Sequence, residues 1–107
     1  YEFHNGMDID GDKGDIVVAP ANGVVSKAGY QGGYGNLIEI DHGNGLKTRY
    51  GHLSKVDVQV GDSVQRSQPI GLVGSTGRST GPHLHYELRL NEKAINPRRF
   101  LPPEMPN

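Results

Sequence analysis

Apolar positions recur along the chain with a period of two, and no segment sustains the 3.6-residue period of an amphipathic helix. Seven stretches read as strands: DIVVAP (15–20), GVVSKAG (23–29), NLIEIDH (36–42), LKTRYGHL (46–53), VDVQV (56–60), PIGLVG (69–74) and HLHYELRL (83–90). Between the third and fourth, HGNG (42–45) places Asn-Gly between two alternating segments, the strongest short-range hairpin signal. The expected fold is all-β and mainly antiparallel. Successive strand residues face opposite ways, so each stretch divides into two lists. HLHYELRL sets Leu84, Tyr86, Leu88 and Leu90 toward a core and His83, His85, Glu87 and Arg89 on the other face. LKTRYGHL puts Leu46, Thr48, Tyr50 and His52 on one face, which predicts a polar cleft floor where the two strands meet.

Composition narrows the reading. The 16 glycines and seven prolines punctuate the chain at short intervals instead of gathering into a linker, and 107 residues suit one domain. A net charge of −1 without a clustered Lys/Arg face argues against nucleic-acid binding. There is no cysteine, so any zinc must be held by imidazole and carboxylate. No apolar run approaches the roughly 20 residues that span a bilayer, and the N-terminus lacks a signal-peptide pattern. The chain opens three residues before His4, which reads as a trimmed single domain over 1–107 with a C-terminal tail over 97–107. An upstream strand, signal or anchor is expected outside it.

The histidines carry the candidate chemistry. His83 and His85, at i and i+2 on one strand, point the same way, so one can ligate a metal while the other acts on water. A His-x-His pair alone is weak, because two half-exposed histidines on an ordinary strand are common. FHNGMDIDG adds His4 and Asp8, with Gly6 between them to let the backbone bend. His4, Asp8 and either of the late pair would form an open three-ligand site. Tyr50, beside His52, is a candidate contact to a substrate carbonyl. Tyr34 in GYQGGYG (29–35) and Ser79 and Thr80 in GSTGRSTG (74–81) are candidate groove contacts. Glu87, in register with both late histidines, is a candidate acceptor for an imidazole N–H, or else an ion-pair partner of Arg89.

HNGMD, TRYGHL and GRSTGPHLHYEL, in that order, resemble the lysostaphin/LytM-type zinc metallopeptidases that cut cell-wall peptides. APANGVVSKAG, GYGNLIEIDHGNGLKTRY and VQVGDSVQRSQPIGLVG extend the resemblance over nearly the whole chain. It implies a sheet of the duplicated hybrid-motif type with a groove-shaped active site. It also implies one Zn2+ held by His4, Asp8 and His85, with His52 and His83 as the catalytic histidines, their two roles unassigned. The implied substrate is the peptide stems of bacterial peptidoglycan, and the implied location is the cell envelope, periplasmic or secreted. STGRSTGPHLHYEL and NEKAINPRRFLPP resemble Gram-negative envelope members, which points to a D,D-endopeptidase cutting D-Ala–diaminopimelate bonds. The alternatives are a non-catalytic LytM-type module that activates a cell-wall amidase and a glycyl-glycine endopeptidase. An upstream segment that inhibits or anchors the domain is a further implied partner.

Other motifs fail on chemistry. DIDGDKGD alternates aspartates as a calcium loop does, but Lys13 stands where the turn needs Gly and Ala19 where a bidentate Glu is needed. GSTGRSTG lacks the Gly-Lys-Ser/Thr ending and leads to Pro82 and a strand, which excludes a nucleotide loop. VQVGDSVQRSQPIGLVG resembles half of a biotinyl/lipoyl carrier but has no lysine at a tight turn. A histidine phosphocarrier would have no use for Asp8. His42, beside the Asn-Gly turn, is expected to face solvent.

Overall fold

The computed structural model describes residues 6–77, 79 and 81–95. Among them the chain forms nine strands: β1 (Met7–Asp10), β2 (Ile16–Val18), β3 (Gly23–Gln31), β4 (Gly35–Gly43), β5 (Leu46–Val56), β6 (Ser63–Val64), β7 (Pro69–Val73), β8 (His83–Leu90) and β9 (Lys93–Ile95). The strands pair antiparallel in the order β1-β8-β5-β4-β3-β6, with β9 beside β8 and β2 joined through β7 to β5. The all-β, antiparallel expectation is met. Asn44 and Gly45 both take positive φ, 54° and 81°, as a two-residue hairpin turn requires.

The core lies on one face of the sheet. Ile38 and Ile40 on β4, Tyr50 on β5 and Leu84 and Tyr86 on β8 are each fully buried there. Tyr50 and Tyr86 are register partners whose rings lie 5.6 Å apart. Leu88 joins the buried side as the alternation predicts, but Leu90 does not: it is 42% exposed at the strand end. Tyr50, too, departs from its expected place at the cleft. It is wholly buried and bonded to the Thr48 hydroxyl, so it cannot contact a substrate.

Tyr50 and His52 end on opposite sides because β5 is bulged between them. Tyr50 pairs with Ile38 and Leu53 with Asn36, so three steps on β5 match two on β4. His52 sits in the extra step with φ of +61°, a left-handed conformation that turns its side chain out of the core-facing alternation. At the same step β5 changes its other neighbour. Leu46–Gly51 pair with β8, whereas Leu53–Val56 pair with β7. A cleft opens where β7 and β8 part, bridged among the described residues only by Gly74 and His83.

Three strands escaped the pattern reading because they are short. β6 has two residues and β9 three, while MDID of β1 alternates over four, with Met7 and Ile9 inward and Asp8 and Asp10 outward. VDVQV, by contrast, alternates without being a strand beyond Val56. Its backbone turns through Gly61 at φ +96°, and the Asp62 carboxylate accepts the Gln59 N–H at 2.8 Å. His42 is also not turned to solvent. Its ring bridges the Asn22 carbonyl at 2.8 Å and the Thr48 hydroxyl at 2.7 Å.

Candidate metal and catalytic centre

Strand pairing brings the polar residues together. Asp8 pairs with His85 and Asp10 with His83 across β1 and β8, and Gly51 pairs with His85 across β5 and β8. The bulge then swings His52 over the same spot: its ring centroid lies 5.0 Å from that of His83 and 5.8 Å from that of His85. Gly51 leaves the room, since a Cβ there would stand 3.2 Å from the Tyr34 ring and 3.4 Å from His85 Cβ.

Each imidazole has one nitrogen held by a fixed group, and this decides which nitrogen faces the cleft. His52 Nδ1 lies 2.7 Å from the Thr76 carbonyl and His83 Nδ1 lies 2.9 Å from the Gly81 carbonyl. A carbonyl only accepts, so both rings carry hydrogen on Nδ1 and keep the Nε2 lone pair free. His85 is set the opposite way. Its Nε2 lies 2.8 Å from the Glu87 carboxylate, and its Nδ1 faces Asp8 Oδ1 at 3.2 Å. His83 Nε2 approaches the same Asp8 oxygen at 3.5 Å. The pair therefore presents two different ring nitrogens to one place.

Electrostatics separates the groups further. Burial pushes the His52 pKa below its ordinary value, and the nearby His83 and His85 push the same way against the Thr76 carbonyl and Asp8. Burial would also lower His85, but its bonds to Glu87 and Asp8 outweigh that and raise it. Glu87 is wholly buried, which alone would raise its pKa; hydrogen bonds from His85, Tyr34 and Arg89 hold it below the usual range. Both roles considered for Glu87 coexist: it accepts from His85 through Oε2 and from Arg89 NH1 through Oε1 at 2.8 Å.

Asp8, His52, His83, His85 and Glu87 thus meet in one cleft. Tyr34 stands beside His85 at 5.7 Å between rings, but its hydroxyl hydrogen is engaged by Glu87 at 2.6 Å. Ser79 turns its hydroxyl to the Gly81 carbonyl at 2.7 Å and lies near His83 Nδ1 at 3.4 Å, so it braces the loop beneath that ring. His4 and Thr80 lie outside the described residues. Sequence reasoning missed Thr76. Its hydroxyl donates to the Leu53 carbonyl at 2.7 Å and accepts from Asn36 N–H at 3.1 Å, which ties the loop to both edges of the bulge. A lone threonine in a glycine-serine loop carries no spacing signal. Arg49, which donates to Glu39 Oε2 at 2.5 Å and pairs with Glu87 across β5 and β8, was missed as well, because alternation on β5 had set Tyr50 and His52, and not Arg49, on the cleft face.

The donors suit zinc in kind. Asp8 Oδ1 and His85 Nδ1 converge, and the far nitrogen of His85 is held by a carboxylate, an arrangement common behind metal-bound imidazoles. Among the described residues no three side chains form a complete ligand set. The third donor that the sequence suggests, His4, lies outside them.

Comparison with known proteins places this geometry in context. The model of Peptidase family M23 matches residues 2–97. The DD-carboxypeptidase/endopeptidase Mpg of Neisseria meningitidis is 48% identical over 97 residues, covering 91% of this chain and 22% of that protein. The murein hydrolase activator NlpD of Salmonella dublin is 42% identical over 100 residues, covering 92% of this chain and 26% of its own length. The chain spans about a quarter or less of these curated relatives. Among solved structures, the catalytic domain of lysostaphin from Staphylococcus simulans superposes with a TM-score of 0.84 at 39% identity, over 90% of this chain and 77% of that one. A zinc-containing peptidase from Vibrio cholerae gives a TM-score of 0.83 at 40% identity, over 86% and 28% respectively.

Proposed function

Because the chain belongs to peptidase family M23, we propose that it is a zinc-dependent endopeptidase of the cell envelope that hydrolyses peptide cross-links of bacterial peptidoglycan, at D-Ala–diaminopimelate bonds. The observation that carries this reading is the convergence of Asp8 Oδ1, His85 Nδ1 and His83 Nε2 under the His52 ring, each imidazole locked by its other nitrogen. The name of the Neisseria relative supports the bond class, and the zinc-containing Vibrio structure supports the metal.

His4, Asp8 and His85 would hold the zinc, which when bound would supply Lewis acidity toward the scissile carbonyl and lower the pKa of water so that it gives up a proton near neutral pH. The chain's own residues handle the protons. His52 and His83 each offer an Nε2 lone pair while their Nδ1 hydrogens stay on the Thr76 and Gly81 carbonyls. One accepts the proton of the attacking water and returns it to the departing amine. The other, protonated at Nε2 from solvent, donates a hydrogen bond to the charge developing on the carbonyl oxygen and keeps its proton throughout. Neither ring has to turn between the two events, because the fixed Nδ1–H bond holds its plane.

Digestion of defined cross-linked muropeptides, with the new termini identified by mass spectrometry, tests this. New D-alanyl carboxyl and diaminopimelyl amino termini are expected, together with about one zinc per chain. Cleavage confined to glycine bridges would replace the bond assignment. The similarity to a murein hydrolase activator supports a second reading, a module that stimulates a cell-wall amidase. Retained zinc, no cleavage of any wall fragment and stimulation of an amidase would establish that reading instead.

A further inference from the structure

We propose that Tyr34 and Arg49 are positioning residues that set the ring of His85 through Glu87. The inference rests on His85 being a metal ligand, and it concerns which of its nitrogens is made available. Four charged residues form a row on the site face of the sheet. Lys27 on β3 pairs with Glu39 on β4, Glu39 with Arg49 on β5, and Arg49 with Glu87 on β8. Signs alternate along the row, as favourable cross-strand neighbours do.

Arg49 and Glu87 are joined through Tyr34. Arg49 Nε donates to Glu39 Oε2 at 2.5 Å, and its NH1 donates to the Tyr34 hydroxyl oxygen at 3.1 Å. A guanidinium can only donate, so the tyrosine oxygen is the acceptor and its single hydrogen points onward to Glu87 Oε2 at 2.6 Å. That same oxygen faces His85 Nε2 at 2.8 Å, while Arg89 fills Oε1. Surrounded by donors, Glu87 is an ionised acceptor, and an ionised acceptor requires hydrogen on His85 Nε2. The Nδ1 lone pair is then directed at Asp8. Hydrogen-bond polarity therefore runs one way from Arg49 to the ligand nitrogen. His52 and His83 stand outside this chain, because backbone carbonyls set their tautomers.

Long-range proton–nitrogen NMR of the metal-free protein, in mildly alkaline buffer, reads the ring tautomers directly. The wild type is expected to show His85 as the Nε2–H form and His52 and His83 as Nδ1–H forms. Tyr34→Phe keeps the ring beside His85 and removes only the hydroxyl; it should shift the His85 nitrogens toward a mixture of tautomers while those of His52 and His83 hold still. Zinc retention against a competing chelator should fall about 10- to 100-fold. Arg49→Lys, which keeps the charge but cannot bridge Glu39 and Tyr34 at once, should move His85 in the same direction. Unchanged His85 nitrogens in both variants would overturn the proposal, as would equal shifts in all three histidines, which would mark a general loosening. A shifted tautomer with unaltered zinc retention would uphold the positioning chain and sink the assignment of His85 as ligand, so the two failures are distinct.

Discussion

His52 Nδ1 donates to the carbonyl of Thr76 at 2.7 Å, and Thr76 is itself fixed by its hydroxyl to the two strands that flank the bulge. The general position of a cleft histidine is thus governed by a residue that touches no reacting atom. Thr76→Val keeps the branched shape and removes both hydroxyl bonds, which should lower stability by about 1–2 kcal/mol. Displacement of the carbonyl should cost up to about 100-fold in kcat with zinc content unchanged. Unfolding curves, metal analysis and muropeptide turnover check this; wild-type turnover in the variant would show that the loop does not hold the ring.

His83 and His85 differ in which nitrogen reaches the cleft, and their substitution should differ accordingly. His85→Ala removes the Nδ1 that converges with Asp8 and should lose both zinc and hydrolysis. His83→Ala should retain about one zinc per chain and lose roughly 10²- to 10⁴-fold in turnover. Atomic emission of dialysed protein beside a kinetic assay separates the outcomes. Equal behaviour of the two variants would refute the division of roles.

The contrast between these two histidines was only half visible in the sequence. Alternation in HLHYELRL put His83, His85 and Glu87 on one face and Leu84, Tyr86 and Leu88 on the other, and β8 adopts that arrangement. Alternation presumes an unbroken register, however, and it failed where β5 changes neighbours. The bulge separates Tyr50 from His52, so a tyrosine read as a substrate contact became core while the histidine stayed at the cleft. The burial of Glu87 was equally illegible, because it depends on Tyr34, 53 residues away, folding over it. VDVQV shows the converse: a period of two is necessary for a half-buried strand and is not sufficient when Gly61 and Asp62 favour a turn.

Gly6 was read as a bend between His4 and Asp8, but its need for hydrogen in place of a side chain is a close approach. A Cβ there would stand 2.4 Å from the Tyr86 carbonyl oxygen and 2.6 Å from Glu87 Cγ. Gly6→Ala must push β1 off β8, carrying Asp8 from His85, at a cost of about 1–3 kcal/mol. Zinc retention should fall along with stability. Gly81→Ala, where no described residue lies within 4 Å, is the control and should stay within about 0.5 kcal/mol of wild type. Equal tolerance of the two changes would show that β1 can yield without disturbing Asp8.

Glu39 links the charged row to acid stability. It is 2% exposed, and burial alone would raise its pKa above 4.5; hydrogen bonds from Arg49 and Ser26 and the nearby positive charges of Arg49 and Lys27 reverse that and hold it lower. In the unfolded chain the carboxyl returns to its ordinary value, so between the two pKa values the unfolded state binds more protons. Its stabilising contribution is therefore complete above 4.5 and disappears as pH falls through the folded-state pKa. Glu39→Gln cannot titrate. The variant should be less stable than wild type near neutrality, because the partly buried Arg49 loses its charged partner, a loss of about 3 kcal/mol. The deficit should shrink toward acid, by as much as about 1.4 kcal/mol for each pH unit below the ordinary carboxyl value. Urea unfolding of both metal-free proteins across that range provides the measurement, and metal release then contributes to neither curve. Parallel curves would mean that Glu39 has the same proton affinity folded and unfolded, and the proposed charge pairing with Arg49 would fail with them.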